Sequence, residues 1–295
     1  MTVHNLSEVY RESLMISQGQ VHCTGLSSML EGSISHDKFT RLLSSGYMNE
    51  EYLWKSAKPL CHEISSHDAV LIIDESIEAK PYTDEIELIC WHYDHVSGRN
   101  IKGVSMLTGL YYSGGMSVPA GVEFITKPLK TVNKQGKQVR KSRIGKNELF
   151  RKIVEHACNN LHFAYVLSDS WFGNSENMKF IHEKHKGKFV FAIKSNRKIA
   201  LTLEDKIKGR YTSIQSLKPE GRTAVVYVEQ LDFPLLITCQ VFKNGDDTAA
   251  LYLASNDLSL SYEQITTIYK KRWKVEEYHK SIKSNASFSK SPTRR

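Results

Sequence analysis

Two short apolar runs, each ending at an aspartate, constrain the fold of this chain more than any other feature. The first covers residues 69–73 and stops at Asp74, and the second covers residues 163–168 and stops at Asp169. An unbroken run rich in β-branched residues is typical of a strand covered on both faces. The runs predict two central strands of an α/β sheet, with both aspartates opening towards one edge. Taken alone, each pattern is more typical of a helix cap or a structural turn.

The residues between the two aspartates predict the next elements of the sheet. Residues 88–94 and 103–112 are expected to form a hairpin, with its turn at residues 97–100. A helix is predicted at residues 148–160. Beyond Asp169, the pattern indicates a helix at 177–185 and a strand at 188–194.

A β-rich segment follows before the last helical region. Its strands are rich in β-branched and aromatic residues and are separated by turn formers, which is typical of antiparallel pairing. The three predicted strands cover residues 223–228, 235–241 and 249–253.

Residues 269–283, YKKRWKVEEYHKSIK, carry a third candidate carboxylate. On a single helix, at about 100° per residue, Tyr269, Arg272, Glu276 and Lys283 fall within an arc of about 60°. The neighbouring Glu277 points about 100° away. A carboxylate flanked by an Arg, a Lys and a Tyr hydroxyl suits a place where a metal is held beside a nucleic-acid phosphate.

This spacing, Y-x2-R-x3-E-x6-K, resembles the signature of the DDE transposases of bacterial insertion sequences, the cut-and-paste group with an RNase H-like catalytic core. The match is complete at the four signature positions, and the resemblance extends over about residues 69–283. It implies metal-dependent cleavage of DNA at the ends of a mobile element, followed by strand transfer to target DNA. It also implies a β-rich insertion before the catalytic glutamate, here about residues 205–256.

The resemblance makes Asp74, Asp169 and Glu276 the expected catalytic residues and metal ligands. Three carboxylates suit two divalent ions at a phosphodiester, and hard oxygen ligands favour Mg²⁺, with Mn²⁺ as a substitute, over zinc. The expected DNA-binding residues are Tyr269, Arg272, Lys283, Lys137, Arg140, Lys141, Arg143 and Lys194. The implied partners are double-stranded DNA, as terminal repeats and target, and a second copy of the chain in a homodimeric synaptic complex.

Charge supports a polyanionic partner without identifying it. The chain has 295 residues and a formal net charge of +8. The densest basic stretch, residues 127–147, holds eight Lys or Arg and no acid, and its lack of apolar periodicity predicts an exposed loop. This loop is either a solvated surface or a phosphate-neutralising segment beside the catalytic site. No membrane span or signal region is expected, so the prediction is a bacterial cytoplasmic protein.

Residues 1–65 are predicted to form a small helical domain. Two short helices, at residues 24–32 and 36–43, flank a tight turn, and Ser35 is in position to cap the second helix. The pair is either a DNA-binding helix-turn-helix or a packing unit without DNA contacts, because it has few basic residues.

The cysteines, histidines and tryptophans favour structural roles. The cysteine and histidine groups around residues 61–67 and 90–95 lack a C-x2-C pair, so a zinc site is disfavoured. The five cysteines are expected to be free and mostly buried. Trp171 and Trp273 are expected in the core rather than as surfaces for base stacking.

The predicted catalytic domain spans residues 66–283, and residues 284–295 form a short basic tail. The resembling proteins usually continue with further helices, so the tail suggests a truncated copy. Two alternatives therefore stay open: an idle DNA-binding protein that represses transposition, and an RNase H-like nuclease that does not transpose.

Overall fold

The structure is a computed structural model that describes residues 2–16, 21–95, 97–217, 221–244, 247–285 and 288. The helices are α1 (Val3–Ile16), α2 (Cys23–Met29), α3 (His36–Ser44), α4 (Glu50–Glu63), α5 (Lys146–Asn160), α6 (Ser175–Lys179), α7 (Leu203–Ile207), α8 (Tyr262–Lys270) and α9 (Trp273–Ser284). A π-helical turn, Phe180–Lys184, continues α6, and a 3₁₀ turn covers Ile214–Leu217.

The strands pair into one large sheet and two small ribbons. They are β1 (Val70–Ala79), β2 (Cys90–Asp94), β3 (Arg99–Ser113), β4 (Met116–Phe124), β5 (Leu129–Val132), β6 (Gln138–Lys141), β7 (Tyr165–Ser168), β8 (Phe189–Ile193), β9 (Lys198–Ile199), β10 (Thr212–Ser213), β11 (Thr223–Val226), β12 (Leu235–Asn244) and β13 (Asp247–Ser255). Within the described residues, the large sheet has nine strands in the order β11-β12-β13-β8-β7-β1-β3-β2, with β4 also paired to β3.

The centre of the sheet is parallel and its two sides are antiparallel. β1 pairs in parallel with β7, and β7 with β8, whereas β3 runs antiparallel to β1 and β13 antiparallel to β8. Helices cover both faces, so the central strands are apolar on both sides, as their sequences predict. This mixed α/β architecture is consistent with an RNase H-like transposase fold.

Two separate apolar cores lie on the two faces of this sheet. On one face, α4 and α5 pack with residues such as Phe150, Ile153 and Phe172 against Leu71 and Ile73 of β1. On the other face, Ile265 and Tyr269 of α8 and Val275 of α9 pack against Val70 and Ile72. The alternation of side chains along β1 thus fixes which helices each residue meets.

Close packing of α5 on the sheet requires a glycine at position 109. Gly109 of β3 pairs with Gly121 of β4, and both lie beneath Ile153 of α5. A Cβ at Gly109 would lie 2.3 Å from Ile153 Cγ2, far inside van der Waals contact, while one at Gly121 would lie 3.7 Å away. Gly109 is therefore the position that sets how near α5 approaches.

The predicted β-rich segment contains the expected strands, but they do not stand apart from the core. β11, β12 and β13 extend the main sheet, with β13 hydrogen-bonded directly to β8. Of the turn formers predicted at residues 219–221 and 244–246, residues 219, 220, 245 and 246 lie outside the described residues. These three strands therefore enlarge one continuous sheet.

The predicted exposed loop over residues 127–147 is wrong. The segment contains the β5–β6 ribbon and the start of α5. The turn between the strands is closed by Asn133, whose Oδ1 accepts hydrogen bonds from the backbone N–H groups of Gln135 and Lys137. The hairpin could not be predicted from this charged sequence, because polar strands exposed on a ribbon show no apolar alternation.

Four helices precede the sheet, and α1 to α3 enclose a small core of their own. Tyr10, Leu26, Phe39 and Leu42 are buried together. The two predicted short helices are present as α2 and α3, and Ser35 is the N-cap of α3, although its side chain makes no capping hydrogen bond. Whether α3 binds DNA stays a prediction.

Candidate active site

The parallel register of β1 and β7 brings the two candidate aspartates together. Their last registered pair is Ile73 with Ser168, and Asp74 and Asp169 follow directly on adjacent strands. The Ser168 hydroxyl donates to the Ile73 carbonyl at 2.7 Å and joins the strands at this point. The backbone therefore sets the position of both carboxylates.

The expectation that Asp74 lies at the exit of its strand is wrong, because β1 continues for five more residues. The overrun pairs with β3 as far as Ala79 opposite Gly103. Its polar side chains find partners: Glu75 accepts from Ser105 Oγ at 2.6 Å and from Lys146 Nζ at 2.6 Å. Asp169, by contrast, does follow the end of its strand, as predicted.

Backbone donors fix both aspartates. The Asp169 Oδ1 atom accepts from the N–H groups of Trp171 at 3.0 Å and Phe172 at 3.4 Å. The Asp74 Oδ1 atom accepts from the N–H of Glu75 at 2.8 Å, which leaves its Oδ2 atom directed at Arg272. Both carboxylates keep acceptor capacity for a further cation.

The four signature residues do not share one helix. Tyr269 belongs to α8, which ends at Lys270. The helical hydrogen bonding is irregular at Lys271 and Arg272, and α9 begins at Trp273 with Arg272 as its N-cap. The predicted common arc nevertheless brings Tyr269 beside Arg272, whose guanidinium carbon lies 5.9 Å from the centre of the Tyr269 ring. It holds locally for Arg272 and Glu276, which are one helical turn apart and in contact.

Arg272 lies between two of the three candidate carboxylates. Its Nη1 atom donates to Asp74 Oδ2 at 3.0 Å and to Glu276 Oε1 at 3.4 Å. The side chain of Arg272 is only 12% exposed, and its Nε atom is buried without a hydrogen-bond partner among the described residues. A guanidinium thus occupies the position where the carboxylates stabilise positive charge.

The titration of these groups reflects their burial and mutual repulsion. The pKa of Asp74 is raised to about 7: burial is the largest cause, Arg272 opposes the increase, and the charges of Asp169 and Glu276 add to it. Burial likewise raises the pKa of Asp169. Burial disfavours the charge of Arg272, yet its pKa is raised because Tyr269 and the carboxylates surround it. The site is short of positive charge.

The remaining signature residues are engaged within the protein. Tyr269 is almost fully buried, and burial raises the pKa of its hydroxyl. Lys283 lies further along α9, where its Nζ donates to the Ile77 carbonyl at 2.8 Å and approaches Glu78 at 3.9 Å. Lys283 is therefore bound to the β1 overrun and not directed at the three carboxylates.

The other predicted DNA contacts divide into exposed and bound residues. Lys137, Lys141, Arg143 and Lys194 are exposed. Arg140 instead pairs with Glu85 at 3.4 Å and donates to the Lys127 carbonyl, and is half-buried. A phosphate would have to compete with Glu85 for Arg140.

The donor set fits divalent ions by its chemistry. Hard oxygen ligands are available from Asp74, Asp169 and Glu276. The Arg272 guanidinium supplies positive charge between two of these carboxylates. No group of three or more His, Cys, Asp or Glu side chains in the described part of the chain is arranged to hold a metal ion. The five cysteines are free thiols.

Comparison with known proteins decides the family. The family model described as "Archaeal putative transposase ISC1217", a DDE transposase family, matches residues 57–291. This chain belongs to that family. The match covers most of the chain, including both aspartates and all four signature residues.

Other comparisons add little to this assignment. No curated protein matches the sequence. One similar solved structure is the Drosophila P element transposase strand transfer complex, with 11% sequence identity, a TM-score of 0.31, and coverage of 74% of this chain and 48% of that chain. The chain thus spans about half the length of the solved structure it matches. Of the helices described, none combines the length and the apolar character needed to cross a membrane.

Two features of the site were missed by sequence reasoning. One is Glu75, a second carboxylate beside Asp74 that points to the opposite face of β1 and binds Lys146. Strand alternation signals this opposition, since neighbouring residues face opposite ways. The other is the exposure of Trp171, which is 44% exposed, and of Trp273; both were expected in the core, and that expectation is wrong.

Proposed function

We propose that this DDE transposase cleaves DNA strands at the ends of a mobile element and transfers them to target DNA, with Asp74, Asp169 and Glu276 holding two Mg²⁺ ions. The observation that carries the proposal is the Arg272 guanidinium bridging Asp74 and Glu276 beside Asp169. Mn²⁺ is expected to substitute for Mg²⁺, since both prefer oxygen ligands. The chemistry that such ions supply when bound is activation of the attacking oxygen and stabilisation of the leaving oxygen.

The protein residues have separable tasks in this proposal. Asp74 and Asp169 form a fixed pair, because adjacent parallel strands and backbone N–H donors hold them. Glu276 is contributed by α9, and its side chain is about half exposed, so it can turn towards that pair. Arg272, released from the carboxylates, is then free to bind a DNA phosphate bidentately.

The DNA itself is proposed to be a duplex that carries the terminal repeats and the target. Exposed Lys137, Lys141, Arg143 and Lys194 are available to its phosphates, whereas Arg140 and Lys283 are available only after they leave Glu85 and Ile77. Binding should therefore weaken steeply as salt concentration rises. A homodimer that holds two element ends in one synaptic complex is part of the same proposal.

The test is a cleavage assay on a labelled duplex with the terminal repeat of its own element, incubated with Mg²⁺, Mn²⁺ or EDTA. We expect metal-dependent cleavage at the repeat boundary. Glu276→Gln should remove it, lowering the rate at least about a hundredfold. Glu277→Gln is the matched control, because Glu277 lies next in sequence, pairs with Lys274 on the exposed side of α9, and should leave cleavage intact.

Two results would count against the proposal. Cleavage retained in full by Glu276→Gln would remove Glu276 from the site. Binding to the repeat without cleavage under any metal would favour a repressing DNA-binding protein instead.

A further inference from the structure

An edge strand of the large sheet exposes two large aromatic side chains on one face. Along β2, Cys90 and His92 are buried, while Trp91 and Tyr93 are each 51% exposed. Within the described residues, β2 pairs only with the first part of β3, so it is the last strand on that side of the sheet. Trp91 and Tyr93 stand about 7 Å apart along the strand, as alternate residues do.

The aromatic row continues from β2 to the candidate active site. The Tyr93 ring lies 4.9 Å from the His95 ring, and the His95 ring lies 5.4 Å from the Trp171 ring. His95 is exposed, and Trp171 is the residue whose N–H donates to Asp169. We define the aromatic row as Trp91, Tyr93, His95 and Trp171. It runs from the edge of the sheet to a candidate catalytic carboxylate.

Cations flank the aromatic row at both ends. Lys146 Nζ lies 5.5 Å from the centre of the Trp171 ring, and Lys127 Nζ donates to the Trp91 carbonyl at 2.5 Å. Trp91 also lines a cavity of about 550 Å³ between β2 and the β5–β6 ribbon, together with Lys127, Lys137 and Arg140. Lys146 is paired with Glu75 and Arg140 with Glu85, whereas Lys137 is exposed, so a chain of phosphates along the row would compete with these two carboxylates for the cations.

Aromatic faces beside cations select unpaired bases. A duplex buries the faces of its bases in its own stack, so it offers an exposed ring nothing to stack on. A single strand offers a base face at every nucleotide, and alternating stacking surfaces and cations are how proteins bind such strands without sequence preference.

We propose that the aromatic row is a binding site for an unpaired DNA strand, whose bases stack on Trp91, Tyr93 and Trp171. The binding itself needs no metal and no element sequence. The role of the row at a DNA end rests on the proposed function: a strand frayed from its partner near the cleavage point would be guided along the row to Asp169.

The test measures binding of a fluorescent oligo(dT) by anisotropy in EDTA, with a duplex of equal length and unrelated sequence as comparison. Alanine at Trp91 or at Tyr93 should weaken oligo(dT) binding at least about fivefold, with little change for the duplex. Trp91→Phe should restore most of the affinity, because it keeps a stacking face. Phe242→Ala is the matched control: Phe242 is 52% exposed on β12, at the other side of the sheet, and its loss should change neither binding.

Thermal unfolding of each variant shows whether it is folded, and both alanine substitutions are on the exposed face of an edge strand. Unchanged oligo(dT) affinity in folded Trp91→Ala and Tyr93→Ala proteins would overturn the proposal. Equal losses for single strand and duplex would also overturn it, because they would indicate a general electrostatic effect. A chain that binds oligo(dT) through the row but never cleaves DNA would contradict only the proposed function, and a chain that cleaves while its row variants bind normally would contradict only this inference.

Discussion

Arg272 Nη1 lies 3.0 Å from Asp74 Oδ2, and each of the two side chains is only 12% exposed. A buried pair of this kind is costly to break from one side, because the remaining charge is left without a partner in a poorly hydrated place. Arg272 is therefore both a candidate DNA-binding residue and the group that compensates the negative charge of the carboxylates when no DNA is bound. This dual position leads to the first prediction.

Arg272→Ala should lower the free energy of unfolding by about 3–5 kcal/mol in EDTA, because Asp74 loses its cation. Mg²⁺ should recover more stability in this variant than in the wild type, since the metal then takes the position of the guanidinium. The measurement is urea unfolding with and without Mg²⁺. Lys271→Ala is the control: Lys271 pairs with the exposed Asp68 in a surface contact, and its loss should be small in both conditions. Equal stability of Arg272→Ala and wild type in EDTA would show that the bridge contributes nothing.

Asp74 and Glu75 are neighbours in sequence, but Asp74 is a candidate metal ligand and Glu75 makes structural contacts. Their substitutions should therefore have different effects on cleavage and stability. Asp74→Asn should abolish cleavage and leave duplex binding largely intact, because it removes a metal ligand. Glu75→Gln should keep cleavage and lower stability by about 1–3 kcal/mol, since it weakens the contacts to Ser105 and Lys146 on the other face of β1. Cleavage and unfolding measured on both variants test this. Loss of cleavage in a stably folded Glu75→Gln protein would show that the face assignment is incomplete.

Gly109→Ala should destabilise the protein by about 1–3 kcal/mol, because the added methyl group meets Ile153 Cγ2. Shortening that side chain by Ile153→Ala should make the Gly109→Ala substitution less costly than it is in the wild type. Gly121→Ala, whose Cβ has ordinary contact distances to the same side chain, is the matched control and should be tolerated. Thermal unfolding of the single and double variants gives the comparison. If Gly109→Ala and Gly121→Ala behaved alike, α5 would not be in contact as described.

Much of the central sheet was predictable because its residues are apolar on both faces. The runs ending at Asp74 and Asp169 predict β1 and β7, and the hairpin of β2 and β3 follows from alternation and its turn. The length of β1 was not predictable, because Glu75 and Glu78 look like strand-ending residues until Ser105, Lys146 and Lys283 supply their partners. Long-range pairing of this kind leaves no local signal.

The break between α8 and α9 was also hidden from the sequence. Residues 269–283 contain no Gly or Pro, and their helical propensity is continuous. Tertiary contacts accompany the irregularity: Tyr269 packs into the core, and Arg272 lies beside it and donates to Asp74. The local spacing of Arg272 and Glu276 survived, whereas the position of Lys283 did not. Helical geometry thus predicted side-chain positions correctly over one turn but not over four.

Two buried histidines should each contribute a loss of stability in mild acid, while Asp74, whose pKa is raised to about 7, contributes the opposite change. Burial lowers the pKa of His279 and of His92 to about 4, against 6.5 when unfolded. Between these values each of the two histidines binds more protons in the unfolded chain than in the folded one, so its contribution to stability falls as pH decreases from 6.5 towards 4. The slope is about 1.4 kcal/mol per pH unit for each histidine. Urea unfolding across this range provides the measurement.

His279→Gln isolates one of these contributions. Gln can keep the contact of His279 with Thr108 Oγ1 and does not titrate. The stability difference between wild type and variant should shift in favour of the variant as pH falls from 6.5 to 4. His162→Gln, at an exposed position, should follow the wild-type curve. Parallel curves for wild type and His279→Gln would mean that His279 is not protected from protonation.

The parallel pairing of β1 and β7 has a consequence for how the catalytic residues tolerate change. The separation of Asp74 and Asp169 is set by the hydrogen-bonded backbone of β1 and β7, so it is insensitive to most changes in loops or on the surface. Glu276 instead lies on the short helix α9. The position of α9 relative to the strands depends on side chains such as Val275 and His279. Substitutions elsewhere in the protein should therefore displace Glu276 before they change the separation of Asp74 and Asp169.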